Sequence, residues 1–318
     1  MHKTILPALI SAALSFAAAG AAQAQNPRTW ISGTGVDQSG CGPIANPCRT
    51  LQYAHSVTNA GGEIDVKDSA GYGAVTITKS IAIVGDGSLA GVLATSGNAA
   101  ITINAGPSDT VVLRGLTIEG ANAGTNGIVF NSGKALDIAS CTIQNFVGSV
   151  LTGNGILVQP LSGTVSVSIA DTTSSHNAAT GFFFVPQSSS TASTTIQATR
   201  FNTSQNGSTG FAANTALATS GTTKITVVSG VSANNGSDGY FFNKAGTVVI
   251  DLSTASGNTA TGFAAQSSTF MTIGRSMAAN NGTAGLYSSG AAVYSFGDNR
   301  LVGNSAATSG TITPTNPQ

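Results

Sequence analysis

The chain is short of charge. Of its 318 residues only 12 are Lys or Arg and 12 are Asp or Glu, 8% in all, against roughly 25% in an ordinary soluble domain. No clustered basic surface can be assembled from so few cations, which excludes a nucleic-acid partner. Three histidines and three cysteines, none at ligand spacing to one another, exclude a zinc site, and nothing else calls for a cofactor. Beyond the first 25 residues no apolar run is long enough to cross a bilayer. Disorder is excluded as well, because 41% of the residues are hydrophobic.

What fills the chain instead is 40 glycines together with Ser, Thr and Asn. A repetitive stack explains that composition. In such a stack each outward position lies about 4.8 Å from its equivalent in the next coil, where like charges would repel and neutral polar residues are tolerated. The start of the chain is separate. His2 and Lys3, an apolar stretch from Ile5 to Ala19, and Ala22-Gln23-Ala24 form a signal-peptide pattern, with cleavage expected after Ala24. Residues 1–24 are therefore expected to be removed. That leaves 11 basic and 12 acidic residues once Lys3 is gone, and a protein secreted or periplasmic with no transmembrane anchor. In an oxidising compartment Cys41 and Cys48 can bridge a small Pro- and Gly-containing loop. Cys141, within a strand pattern, is expected to pack as a small apolar residue.

The fold is announced by an internal period. Asn177, Asn206, Asn235, Asn258, Asn281 and Asn304 follow one another at 29, 29, 23, 23 and 23 residues. Four residues after the first five stand Gly181, Gly210, Gly239, Gly262 and Gly285, each followed by Phe, Tyr or Leu. One such period accommodates one coil of three short strands. Stacked amides would form a ladder, with Asn taking a left-handed turn and the glycine freeing the backbone into the next strand. Alternation after each glycine turns Ile128, Ile156, Phe182 and Tyr240 inward. Pro47 to Val57 has helical spacing and would plug the exposed core of the first coil. The expected organisation is a single all-β domain: an N-terminal cap with a short helix and the Cys41–Cys48 bridge (25–60), a parallel β-helix (61–305) and a flexible polar tail (306–318).

Several segments carry a family resemblance: Thr29-Trp30-Ile31-Ser32-Gly33, Pro47-Cys48-Arg49-Thr50, Gly61-Gly62-Glu63-Ile64, Gly73 to Ser80, and Arg114-Gly115-Leu116-Thr117-Ile118. With the repeat, they make the chain resemble the right-handed parallel β-helix proteins of the pectate-lyase-like superfamily. Within it, the chain is similar to small exported bacterial β-helix repeat proteins without assigned activity. The resemblance implies right-handedness, a helical cap and internal Asn ladders. It implies no single activity, since the superfamily holds lyases, hydrolases, epimerases and binders.

Its enzymes rely on clustered carboxylates, with an Arg or Lys base in the lyases, and this chain offers few. The richest polar group precedes residue 140, where Arg114, Glu119 and Asp137 would make an acid–base site if stacking brought them together. Farther on, the repeat pairs Asp171 with Arg200 and Arg275 with Asp298 as surface salt bridges. Leu252 interrupts that row and points to a shifted register. His55 is expected at the surface of the capping helix and His176 at a turn. The second residue after each glycine should face outward: Val129, Leu157, Phe183, Ala212, Phe241, Ala264 and Tyr287. Rings at Phe183, Phe241 and Tyr287 on a polar sheet suit sugar stacking or a protein contact. Three functions follow: an exported non-catalytic binder of a polysaccharide or cell-surface glycan, a lyase or hydrolase of acidic polysaccharide, and a self-associating structural protein.

Overall fold

The computed structural model of the protein describes residues 26–316; the expected signal peptide lies outside them. Among the described residues, apart from one helix, Leu51–Val57, the regular structure is strand, and every strand pairing is parallel. The result is a parallel β-solenoid with three faces. One is a twelve-stranded sheet running from Asn26–Ile31 to Ile312–Thr315, and another a ten-stranded sheet from Val75–Ile77 to Ala306–Ser309. The third is divided into sheets of five and four strands, joined through bridges from Thr173 to Asn202 and from Asn202 to Val231.

The coil through Asn206 shows the plan. Ser193–Thr199 lies on the twelve-stranded sheet, Arg200 turns the chain with φ 48°, and Asn202 bridges along the third face. Gln205 turns it again with φ 58°, and Phe211–Asn214 runs on the ten-stranded sheet. The long loop then leads back to Thr223–Val228. Left-handed residues repeat at both corners, including Asp171, Ser229, Leu252 and Arg275 at the first and His176, Asn234 and Asn280 at the second. The ladder asparagines are not themselves left-handed. The residue before each of Asn177, Asn206, Asn235, Asn258, Asn281 and Asn304 is.

That turn sends the Asn side chain inward, where it forms the expected ladder. Asn177 Nδ2 donates to Asn206 Oδ1 at 3.0 Å, and the step repeats to Asn235, Asn258, Asn281 and Asn304 at 3.2, 2.9, 2.9 and 2.8 Å. Each Oδ1 also accepts the backbone N–H of the preceding ladder residue. These amides are buried from Asn177 to Asn281, so each would be costly without its partners. The glycine four residues on has a different role from the one its flexibility suggested. None of Gly181, Gly210, Gly239, Gly262 and Gly285 has a positive φ. A Cβ at Gly210 would lie 2.7 Å from Asn235 Nδ2, and at Gly181 2.8 Å from Asn206 Nδ2. Glycine is required because the amide of the next coil occupies the space a side chain would fill.

The core follows the same register. Phe182 stacks on Phe211 with ring centroids 4.5 Å apart, and Tyr240 on Phe263 at 4.9 Å. Opposite them, Ile196, Ile225, Val248, Met271 and Val293 form a buried column, each contributing about 1.5–3 kcal/mol by leaving water. At the N-terminal end the cap covers the open edges. Cys41 and Cys48 are disulfide-bonded, and the loop they close pairs with the first strand through Cys48 N–H to Trp30 O and Ser32 N–H to Cys48 O. The helix begins at Leu51 rather than Pro47 because Thr50 caps it, its hydroxyl accepting the Tyr53 N–H. Gln52 and His55 from that helix accept the N–H groups of Thr76 and Thr78 along the edge of the ten-stranded sheet.

Two expectations change. Residues past 305 are not a loose tail through to 318: Ala306–Ser309 and Ile312–Thr315 pair with Ala284–Ser289 and Ala292–Phe296. Backbone pairing continued where the side-chain repeat faded. His55 is not a surface residue but is buried against the sheet edge.

Candidate functional site

The outward row on the ten-stranded sheet is real in register. Val129, Leu157, Phe183, Ala212, Phe241, Ala264 and Tyr287 are successive partners across the strands. Phe183, Phe241 and Tyr287 are half-buried, whereas Leu157 retains only 2% of its surface and Val129 8%. The accessible part of the row therefore begins at Phe183. A pocket of 410 Å³ opens there, between Phe183 and Phe241 over the small Ala212, with Thr180, Thr209, Asn214 and Val150 among its walls.

Two features of this face escaped the sequence reading. Alongside the rings runs a column of amides: Asn214, Asn243 and Gln266 are in register, and Asn243 Nδ2 donates to Asn214 Oδ1 at 3.1 Å. Their constant offset of three residues from Phe211, Tyr240 and Phe263 was the available signal. The second is Val150, 73% exposed with φ 59°. A β-branched residue in the left-handed region is strained, and such strain concentrates at functional sites. Nothing in the repeat marks it, because it lies in a loop outside the periodic strands.

The three acid–base candidates do not share one face. Arg114 ends a strand of the twelve-stranded sheet and forms an ion pair with Asp86. Asp137 lies on the same sheet opposite Val112, while Arg114 is opposite Ala139, so the two stand two positions apart on adjacent strands. Burial pushes the Asp137 carboxyl above the usual range. Glu119 is around the corner on the five-stranded sheet, where its carboxylate accepts from the Ala121 N–H at 2.9 Å and Gln144 Nε2 at 3.0 Å. The corner after Arg114 separates Glu119 from it, whereas one full turn returns the chain at Asp137 to the sheet of Arg114.

Of the two expected ion pairs, Asp171–Arg200 forms, with Nε and Nη2 at 2.5 and 2.7 Å from the two carboxylate oxygens. Arg275 instead reaches back to Asp251, and Asp298 accepts the Arg275 backbone N–H at 2.8 Å. The left-handed corner at Arg275 presents its N–H to one neighbouring coil and its side chain to the other. The register does not shift at Leu252, which takes the same left-handed corner while Asp251 stays paired with Gly274. His176 occupies the other corner, as expected, and is exposed. Cys141 is buried, and burial pushes its thiol up to about 11. A second aromatic group, also unanticipated, lies on the twelve-stranded sheet: Phe270 and Tyr294 are 5.0 Å apart beside Phe296.

No protein-family model matches the chain, and neither does any curated protein. Among solved structures it is similar to pectate lyase Pel9A, with a TM-score of 0.51 and 16% identity over 91% of this chain and 78% of that one. It is also similar to the A-module of the mannuronan C-5 epimerase AlgE4 of Azotobacter vinelandii, with a TM-score of 0.49 and 13% identity over 81% and 91%. The chain has the right-handed parallel β-helix fold of the pectate-lyase-like proteins.

Proposed function

We propose that this is an exported, non-catalytic β-helix protein that binds a glycan along its ten-stranded face. The observation that carries the reading is the ring row: Phe183, Phe241 and Tyr287 held in one register by strand pairing, with a pocket between the first two. Rigid half-exposed rings stack on sugars without paying for loop ordering. The Cys41–Cys48 bridge supports residence in an oxidising compartment, as does the signal-peptide pattern of residues 1–24. No helix among the described residues is long and apolar enough to cross a membrane. The pairing of Arg114 with Asp86 and the placement of Glu119 on a different sheet count against the alternative of a polysaccharide lyase or hydrolase.

Phe183→Ala, Phe241→Ala and Tyr287→Ala, each screened on a broad glycan array, test the binding half. Each truncation should cost roughly tenfold in affinity, the scale of about 1.4 kcal/mol. Wild-type binding that survives all three substitutions would remove the face from the argument. New reducing or unsaturated ends released from any bound polymer would overturn the non-catalytic half.

A further inference from the structure

The ring-bearing face differs from the rest of the molecule in its charge. None of the ten strands of that sheet contains Asp, Glu, Lys, Arg or His, from Val75–Ile77 through Ala306–Ser309. The twelve-stranded sheet, built from the same coils, carries Arg28, Glu63, Asp65, Arg114, Asp137, Lys224 and Asp251. General scarcity does not explain this, because the charges present are sorted away from one face. The nearest charges flank one strand, exposed Lys244 directly after Asn243 and Asp238 two residues before Tyr240. The Asp238 position is occupied by Thr209 one coil back and Thr261 one coil on, and Thr209 itself walls the pocket. The Asp238 carboxylate accepts the Thr261 N–H at 2.9 Å, so the ring end of the strand is bordered by a negative group and the one cation lies past the amide end.

We propose that the ligand of this face is an uncharged, extended hexose polymer lying parallel to the solenoid axis. This rests on the glycan reading above and specifies its chemical class. An acidic polysaccharide would have to strip water from its carboxylates against rings and alanines, with no cation on any strand to replace it. Lys244 lies past the amide column rather than among the rings, and Asp238 repels such a polymer. A neutral polymer meets what is there. Its hydroxyls both donate and accept, as do the side-chain amides of Asn214, Asn243 and Gln266.

Spacing fixes the orientation. Along the row, rings alternate with alanines: Phe183, Ala212, Phe241, Ala264, Tyr287. Rings thus recur every second coil, about 9.6 Å apart at twice the strand spacing. That is close to the length of two sugars in an extended chain, so a polymer whose successive units flip would present the same sugar face to each ring. The alanines leave room for the intervening unit, and the amide column runs parallel beside it.

Affinity electrophoresis tests this with hydroxyethylcellulose and glucomannan as neutral probes and polygalacturonate and alginate as acidic ones. Each gel is run at low and high NaCl, and with EDTA or added Ca²⁺. A neutral probe should bind with less than a twofold change across salt, at least tenfold more tightly than either acidic probe. Phe241→Ala should weaken it about tenfold and Asn243→Ala severalfold, with unchanged urea midpoints showing that both variants fold. Asn214→Lys should narrow the gap by raising affinity for the acidic probes. Tighter binding of an acidic probe, lost in Phe241→Ala, overturns the neutral assignment and leaves the glycan reading standing. Failure of every probe to bind, or binding indifferent to Phe183→Ala, Phe241→Ala and Tyr287→Ala, overturns both.

Discussion

Acidification should loosen the N-terminal cap through one residue, His55. It is buried, its Nε2 accepts the Thr78 N–H at 3.3 Å, and burial with help from Lys79 holds its pKa down to about 4. The unfolded chain, with an ordinary value near 6.5, takes up the proton first as pH falls. The stability contributed by neutral His55 is therefore complete above about pH 6.5 and drains as pH falls towards about 4. Between pH 7 and pH 5 the loss amounts to about 2 kcal/mol, approaching about 3 kcal/mol below pH 4. His55→Gln keeps an acceptor for Thr78 and removes the titration. Urea midpoints at pH 7 and pH 5 should fall markedly for the wild type and much less for the variant. Asp68, Asp109 and Asp171, whose carboxyls are held low by hydrogen bonds, lose their contribution at lower pH and do so in both proteins. Parallel pH dependence in the two proteins would refute the assignment of the switch to His55.

Further outcomes follow from packing and burial. Gly210→Ala would set a Cβ 1.9 Å from Ser232 Oγ and 2.6 Å from the Thr203 carbonyl, costing about 3 kcal/mol in urea unfolding, while Gly71→Ala, with no heavy atom within 4 Å, should be neutral or slightly stabilising. Val150→Gly should relieve the left-handed strain, raising stability by about 1 kcal/mol, while weakening glycan binding by removing a wall of the pocket; a fall in stability would show that the loop is not strained. Cys141, protonated at neutral pH because burial raises its pKa to about 11, should resist iodoacetamide in the native protein and react only on unfolding, as mass spectrometry would reveal.

Residues 23 or 29 apart lie on neighbouring coils, so whatever repeats at that interval is readable without a structure. The sequence by itself therefore determined the solenoid, the ladder through Asn177 to Asn304, and the outward row containing Phe183, Phe241 and Tyr287. Contacts that depend on the direction of a corner or the edge of a sheet were beyond its reach. Arg275 stands six residues before Asn281 and could have paired in either direction; its left-handed backbone decided for Asp251. His55 reads as one exposed face of a short helix until that helix is laid against the edge it caps. The Asn-x-x-x-Gly step was visible as a pattern, but its cause was not. Only the tertiary structure shows that the glycine serves the Asn one coil away rather than the Asn four residues before it, because the space a side chain needs is filled by a neighbour distant in sequence.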